Sequence, residues 1–308
     1  MLQIFLGNDC NFSCSYCLQP KDRLQTKTLD IDRIAFFIQD RSIEEIRFWG
    51  GEPLLYIDLI KEIISGLEVR NIYTRRTMVT NGSLLNENIT NYLKDKSIFT
   101  CLSYHADMDT QCLKWLARLK FKSINYLVTK QSLYLWDLIN LKNQFDRTFD
   151  QDIYVLPIYV KATPSCPSEY YLTEKEIDYH IEHLRLLHKI GITPRLLETL
   201  RGQWDQTASQ YVPLSGKCMS PWHVSINVSG EVLPCHYAQD ANRQEANFGR
   251  IPDFDLIPST QRYINTQECQ ECEVLPYCQG NCHLSLTHEI DCLFAKKLYN
   301  FLYREIAN

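Results

Sequence analysis

The chain has 308 residues, of which 45% are hydrophobic, and a formal net charge of −5. That length leaves room for one large domain with a small one, or for two domains of moderate size. The acidic balance and the lack of a long basic run argue against a nucleic-acid partner, and no apolar run approaches the ~20 residues of a membrane span. The first residues lack a positively charged leader, which favours a cytoplasmic location without a membrane partner.

The first apolar run, Leu2 to Leu6, leads into three cysteines, Cys10, Cys14 and Cys17, spaced C-x-x-x-C-x-x-C. Three thiolates on a tight loop can hold one cubic [4Fe-4S] cluster. Such a cluster normally takes four cysteines, so one iron is left for a small molecule. A zinc knuckle is the alternative, but zinc sites usually combine C-x-x-C pairs with histidines, and no histidine follows until His105.

This spacing, with the aromatic Tyr16 directly before the third cysteine, resembles the cluster loop of the radical S-adenosylmethionine (SAM) enzymes. The resemblance implies that Cys10, Cys14 and Cys17 hold the catalytic cluster and that Tyr16 belongs to the cofactor-binding residues. In that family the open iron is chelated by the amino and carboxylate groups of SAM. An electron from the cluster splits SAM into methionine and a 5′-deoxyadenosyl radical, so the cofactor carries the hard chemistry and the protein positions it.

Strands alternate with helices as far as Ile190, a pattern typical of parallel β/α units. The predicted strands are Leu2–Leu6, Ile43–Trp49, Arg76–Thr80, Ile98–Tyr104, Ser123–Thr129 and Ile153–Val160. A capping box, Thr173 with Glu176, opens the helix after the last of them. About six units are too few for a closed eight-stranded barrel. We therefore expect an α/β fold with an open, partial (β/α)6 barrel, which matches the resembled family.

The second strand runs into Gly50-Gly51-Glu52-Pro53. Paired glycines at a strand end let the backbone approach a ligand closely, although an ordinary strand-to-helix turn would use the same residues. In radical SAM enzymes a G-G-E-P at this place binds the amino group of SAM, and the resemblance gives that role to Gly50, Gly51, Glu52 and Pro53. Chemistry in β/α barrels lies at the carboxyl ends of the strands, so we expect this motif and the cysteine loop to face one cavity.

Two later strand ends supply further candidates. Thr80-Asn81-Gly82 contains a common turn pair, but the family often has T-N-G here, which implies a cofactor-pocket role for Asn81. Ser103 on the fourth strand resembles the serine that lies near the ribose and carboxylate of SAM. His105 is a candidate catalytic acid or base on the substrate side, or a loop histidine that only forms hydrogen bonds.

A second group of cysteines occupies the C-terminal third of the chain. Its members are Cys218, Cys235, Cys269, Cys272, Cys278, Cys282 and Cys292. Seven cysteines at such spacing favour a metal site over disulfides in a cytosolic chain, and two structural zinc sites would need an eighth ligand. The string resembles the SPASM domain of radical SAM enzymes that act on peptides and proteins. There, seven cysteines hold two auxiliary [4Fe-4S] clusters.

The resemblance divides the ligands between the two auxiliary clusters. Cys218, Cys235 and Cys282 would hold the first, and Cys269, Cys272, Cys278 and Cys292 would hold the second. The first cluster then has either an open iron or a further ligand, for which His223, His236 and Cys166 are candidates. His236 also stands where sulfatase maturases carry an aspartate thought to take the substrate proton, so it is a candidate catalytic base.

The regular alternation fades between Gly191 and Lys217. We place the domain boundary there, with a radical SAM partial-barrel domain over residues 1–200 and a SPASM domain with a C-terminal helix over residues 201–308. The resemblance implies an enzyme that removes hydrogen from an unactivated carbon of a peptide side chain, and we favour crosslinking of a ribosomally made peptide. Protein oxidation of the sulfatase-maturase type and oxidation of a small-molecule alcohol are alternatives, as is a non-catalytic iron–sulfur protein.

The partners expected from this interpretation are a precursor peptide or protein and an electron donor such as flavodoxin or ferredoxin. The chain starts directly at its first strand, without the peptide-binding domain that some members of the family carry there. A peptide would therefore dock on the barrel or SPASM surface, or arrive with a separate peptide-carrier protein.

Overall fold

The computed structural model describes residues 1–17, 29–104, 108, 110–160, 166–191, 194–209, 224–228, 232–233, 267–279 and 287–306. The chain divides into two compact units that interleave along the sequence. Residues 1–125, 142–154 and 221–257 form the first unit, and residues 126–141, 155–220 and 258–308 form the second. The boundary near residue 200 stays a prediction.

The strands of the described chain form one open sheet. They are β1 (Leu2–Phe5), β2 (Glu45–Trp49), β3 (Arg75–Thr80), β4 (Ile98–Tyr104), β5 (Lys122–Val128), β6 (Val155–Tyr159), β7 (Val224–Asn227) and β8 (Val232–Leu233). Their order in the sheet is β6-β5-β4-β3-β2-β1-β7-β8. The first six strands lie where the sequence pattern predicted them and the sheet does not close, which confirms the partial-barrel α/β fold.

Helices follow the strands through the first six units. These six are α1 (Ile31–Asp40), α2 (Ile57–Val69), α3 (Glu87–Asp95), α4 (Gln111–Ala117), α5 (Trp136–Phe149) and α6 (Glu174–Lys189). Later in the described chain come α7 (Pro194–Ser209), α8 (Gln267–Gln270), α9 (Leu275–Cys278) and α10 (His288–Asn300). Both hydrogen bonds of the predicted Thr173–Glu176 capping box are present at the start of α6. Within the described ranges, no helix combines the length and the apolar character that crossing a membrane requires.

Helix α7 and strand β7 are among the elements that the sequence pattern did not predict. Helix α7 occupies a stretch where the alternation of the sequence fades. Strand β7 pairs in parallel with β1, so that Ile4 lies opposite Ile226. Strand β1 therefore has a parallel neighbour on each side, because β2 pairs with its other edge.

The first unit buries the apolar face of its parallel strands against the helices. Ile4, Ile46 and Phe48 have no exposed surface, and Ile60 and Ile63 of α2 are equally buried. Since β1, β2 and β3 run parallel, their carboxyl ends lie at one edge of the sheet. The residues that follow these three strands are thereby brought together.

The second unit contains a buried histidine. His180 of α6 has no exposed surface, and its Nε2 lies 2.9 Å from the Tyr159 hydroxyl while its Nδ1 lies 3.2 Å from the Leu133 carbonyl oxygen. Because a carbonyl only accepts, Nδ1 carries the proton and Nε2 accepts the bond from Tyr159. Burial lowers the pKa of His180 to about 4, so the ring is neutral in the folded protein.

Candidate active site

The three cysteines after β1 lie on one tight turn. The Cys17 backbone N–H donates to the Cys14 carbonyl at 3.1 Å. None of the three thiols is in a disulfide; Cys10 is exposed and the other two are half-buried. Burial raises the pKa of the Cys10 and Cys14 thiols. The negative charge of Cys14 raises the pKa of Cys10 further, and that of Cys17 raises the pKa of Cys14. Each thiol is therefore within electrostatic reach of the next one along the loop.

Hydrogen-bond donors are directed at these sulfur atoms. The Phe12 backbone N–H donates to Cys10 Sγ at 3.4 Å, and the Tyr16 side chain forms a hydrogen bond with Cys14. Three thiols on one turn, with donors that stabilise their charged form, are a donor set that fits a [4Fe-4S] cluster with one open iron. Within the described part of the chain, no group of three His, Cys, Asp or Glu side chains is spaced to hold a single metal ion.

The paired glycines after β2 pack against the backbone of the cysteine loop. The Gly51 N–H donates to the Gly7 carbonyl and the Glu52 N–H donates to the Asp9 carbonyl, both at 2.8 Å. A Cβ atom at Gly51 would lie 2.2 Å from the Asp9 carbonyl oxygen, and one at Gly50 would lie 2.7 Å from that of Gly7. Glycine is thus required here by a contact between two backbone segments, whatever ligand also binds beside them.

The carboxylate of Glu52 is held inside the protein. Glu52 is 1% exposed and accepts hydrogen bonds from the Thr80 hydroxyl at 2.6 Å, the Asn81 backbone N–H at 2.7 Å and the Leu54 N–H at 3.0 Å. Burial raises the pKa of Glu52, and these three donors oppose that shift. Pro53 opens the short 3-10 turn that follows. Glu52 therefore joins the end of β2 to the end of β3, and its contact with SAM stays a prediction.

Asn81 lies beside the cysteine loop. Its side-chain Nδ2 donates to Asn11 Oδ1 at 3.0 Å and lies 4.0 Å from Cys10 Sγ. The loops after β1, β2 and β3 thus meet, as the sequence predicted. Ser103 lies half-buried near the end of β4, and His105 lies outside the described residues.

Sequence reasoning missed three residues that shape this site: Tyr56, Asn11 and Ser83. The Tyr56 hydroxyl accepts a hydrogen bond from the Asp9 N–H at 2.7 Å, and burial raises the pKa of Tyr56 to about 12. Asn11 Nδ2 donates to Ser83 Oγ at 2.8 Å. These contacts join residues far apart in the chain, so no local pattern marks them.

The second cysteine group is described in part. Cys269 lies on α8, and the Cys272 N–H donates to its carbonyl at 3.1 Å. Cys278 ends α9 and Cys292 lies on α10. Burial raises the pKa of Cys292, and the charges of Cys269 and Cys272 act on it in the same direction. The structure thus brings together Cys269, Cys272 and Cys292, three predicted ligands of one auxiliary cluster.

The remaining predicted residues of the C-terminal third lie outside the described residues. These are Cys218, Cys235, Cys282, His223 and His236.

Helix α7 supports the segment that carries Cys278. The neighbouring Tyr277 stacks on Trp204 with ring centroids 6.0 Å apart. On the other side of the cysteine, the Gln279 side chain donates to the Thr207 carbonyl at 2.6 Å. Gln279 is 3% exposed, so the donor side of this part-buried hydrogen bond lies inside the protein. The unforeseen helix therefore fixes one of the predicted cluster ligands.

An open, mostly parallel α/β sheet with a three-cysteine loop at the carboxyl end of its first strand defines the class of SAM-dependent radical enzymes. Residues 4–110 match the family model described as the Radical SAM superfamily. Residues 4–110 therefore form a radical SAM domain, which confirms the resemblance found in the sequence and the expectation of an enzyme.

Among curated relatives, the chain is 23% identical to the radical SAM cyclopropyl synthase TigE of Paramaledivibacter caminithermalis over 91% of this chain and 67% of that protein. It is 32% identical to a GTP 3′,8-cyclase of Campylobacter jejuni over 28% of each chain. The chain thus spans about two thirds of the synthase and little more than a quarter of the cyclase.

Two solved structures share the fold. Native anSMEcpe with bound AdoMet and Kp18Cys peptide superposes with a TM-score of 0.68 at 15% identity, covering 100% of this chain and 98% of that one. Streptococcus suis SuiB bound to the precursor peptide SuiA has a TM-score of 0.63 at 17% identity, covering 92% and 72%. At these identities the likeness establishes the fold alone.

Proposed function

We propose that this radical SAM enzyme modifies a peptide, with Cys10, Cys14 and Cys17 holding the catalytic cluster. The observation that carries the proposal is the convergence of the three-cysteine loop with the Glu52 and Asn81 loops at one edge of the sheet. When bound, the cluster and SAM supply reductive cleavage of SAM to a 5′-deoxyadenosyl radical. Gly50, Gly51, Glu52 and Pro53 would hold SAM, and Tyr16, Asn81 and Ser103 would be further cofactor-binding residues.

The chain's own contribution is to position its ligands. Glu52 holds the Asn81 backbone from inside the protein, and the Gly50–Gly51 backbone keeps the two loops in contact. A radical of this kind reacts with whatever is near, so the substrate C–H must be bound close to it. His105 and His236 are the candidate acid and base of this reaction.

The substrate is a peptide side chain, from which hydrogen is removed before a crosslink forms. Two observations support this. The structures that share the fold include complexes with peptides, and a relative aligned over 91% of this chain is a cyclopropyl synthase by name. Oxidation of the sulfatase-maturase type and small-molecule alcohol oxidation are the alternatives.

The C-terminal cysteines form a SPASM domain with two auxiliary [4Fe-4S] clusters. Cys269, Cys272, Cys278 and Cys292 hold one, and the meeting of Cys269, Cys272 and Cys292 supports it. Cys218, Cys235 and Cys282 hold the other. Clusters held by these cysteines would supply an acceptor for the electron that is left when the substrate radical closes a bond. A flavodoxin or ferredoxin supplies the electron for SAM cleavage, a separate carrier protein can present the peptide, and the reduced thiols suit a cytoplasmic location.

The test is SAM cleavage by the anaerobically reconstituted protein under dithionite, followed as 5′-deoxyadenosine. Cys14→Ala should abolish cleavage, whereas Cys112→Ala, which changes a buried thiol in the core of α4, should retain it. Cleavage by folded Cys14→Ala would show that the catalytic cluster is elsewhere. Incubation with candidate precursor peptides should remove two hydrogens from the peptide mass, and unchanged peptide with active SAM cleavage would favour the alternatives.

A further inference from the structure

Three side chains next to Cys10 form a closed ring of hydrogen bonds. Asn11 Nδ2 donates to Ser83 Oγ at 2.8 Å, the Ser83 hydroxyl donates to Asn81 Oδ1 at 2.6 Å, and Asn81 Nδ2 donates to Asn11 Oδ1 at 3.0 Å. Every member therefore both donates and accepts. The ring joins the loop after β1 to the loop after β3.

The ring fixes which way the Asn81 amide faces. The Ser83 backbone N–H, which can only donate, lies 3.0 Å from Asn81 Oδ1. The oxygen must therefore stay on the Ser83 side, and Nδ2 must face Asn11 and Cys10. The flipped amide would set an N–H group against the Ser83 N–H. A donor is thus presented permanently to Cys10 Sγ, 4.0 Å away.

Cys10 receives a second donor on the same sulfur, the Phe12 N–H at 3.4 Å. Hydrogen bonds to the sulfur ligands of an iron–sulfur cluster are one of the factors that set its reduction potential. N–H groups favour the more negative, reduced state, so they raise the potential. Asn81 supplies the donor from a different strand end, and this donor depends on the orientation that Ser83 imposes.

We propose that Asn11 and Ser83 are positioning residues that aim the Asn81 amide at Cys10 and thereby raise the reduction potential of the catalytic cluster. The inference rests on the proposed function, because it takes Cys10 as a cluster ligand. It predicts that breaking the ring makes the cluster harder to reduce without removing any ligand. Ser83 is suited to the test since it is exposed and its hydroxyl binds Asn81 Oδ1, on the opposite end of the amide from the Nδ2 that faces Cys10.

The experiment is a redox titration of the complete reconstituted protein, followed by the electron paramagnetic resonance signal that changes on adding SAM. Ser83→Ala breaks the ring, and Ser83→Thr keeps the hydroxyl. Asn81→Leu removes the donor itself. At a fixed potential near the midpoint, Ser83→Ala and Asn81→Leu should lower the ratio of reduced to oxidised cluster about threefold, equivalent to about 30 mV for one electron. Ser83→Thr should titrate like the wild type.

The outcomes separate this inference from the function on which it rests. A wild-type protein without a SAM-sensitive cluster signal would overturn the proposed function. A normal wild-type signal with Ser83→Ala unshifted would overturn only the role of the ring. Loss of the cluster from a folded Ser83→Ala protein would also overturn it, since the ring would then hold the loop rather than tune the cluster. If Asn81→Leu does not load a cluster, Ser83→Ala with the Ser83→Thr rescue decides alone.

Discussion

The Thr80 hydroxyl lies 2.6 Å from the carboxylate of Glu52, and this contact ties the end of β3 to the end of β2 beneath the candidate active site. Both residues are 1% exposed. The same hydroxyl accepts a hydrogen bond from the Gly82 N–H at 2.9 Å. The Thr80 side chain therefore binds both Glu52, the acidic residue of the G-G-E-P motif, and the backbone of the turn that contains Asn81.

Thr80→Val should destabilise the protein by about 1–3 kcal/mol, because a buried carboxylate oxygen and the Gly82 N–H each lose a partner while the side-chain shape is kept. Thr80→Ser retains the hydroxyl, so it should lower the free energy of unfolding less than Thr80→Val does. Urea unfolding of both variants measures the difference. Equal stability of the Val variant and the wild type would mean that the contact contributes nothing to folding.

Gly51→Ala should be strongly destabilising, since its methyl group would lie 2.2 Å from a backbone oxygen that cannot move alone. A cost of about 1–3 kcal/mol or more is expected from such overpacking. Gly202→Ala is the matched control, because a Cβ atom there meets nothing within 4 Å. It lies inside α7 and should gain about 0.5–1 kcal/mol. Thermal unfolding of the two variants should therefore move in opposite directions.

Stability should fall in mildly acidic solution because of His180. Its pKa is lowered from 6.5 to about 4 by burial. Between these two pH values the histidine is protonated in the unfolded chain and neutral in the folded chain. The stabilisation is complete above pH 6.5 and is lost as the pH falls from there toward 4. Between pH 7.5 and 5.5 the loss is about 1 kcal/mol. His180→Gln should lack this component, and urea unfolding at the two pH values compares it with the wild type.

Removing one thiol from the second cysteine group should lower the iron content of the protein and leave the catalytic site in place. The wild type is expected to hold about twelve irons, from three four-iron clusters. Cys272→Ala should lose up to about four of them while SAM cleavage continues in part. Such clusters also stabilise the fold around them, so circular dichroism must first show that the variant is folded. An unchanged iron content in that folded variant would contradict the ligand assignment.

The sequence predicted the six β/α units and the meeting of the loops after β1, β2 and β3, since periodicity and the parallel-strand rule determine both. It did not predict β7 beside β1, because that pairing joins residues over 200 positions apart and β7 is only four residues long. Helix α7 was missed because its apolar side chains are spread among Gln, Asp and Arg. The Asn11–Ser83 contact was missed because short polar residues in loops usually indicate turns alone.

The pairing of β1 with β7 also bears on how the protein is made. Strand β1, which carries the cysteine loop, takes one neighbour from β2 and the other from residues near the start of the last third of the chain. The Asp30 N–H, at the start of α1, likewise binds the carbonyl of Val228. During synthesis β1 therefore lacks one of its two neighbouring strands until most of the polypeptide, including β7, has been made. The cysteine loop that follows β1 is therefore flanked by both neighbouring strands only after the residues of β7 have been made.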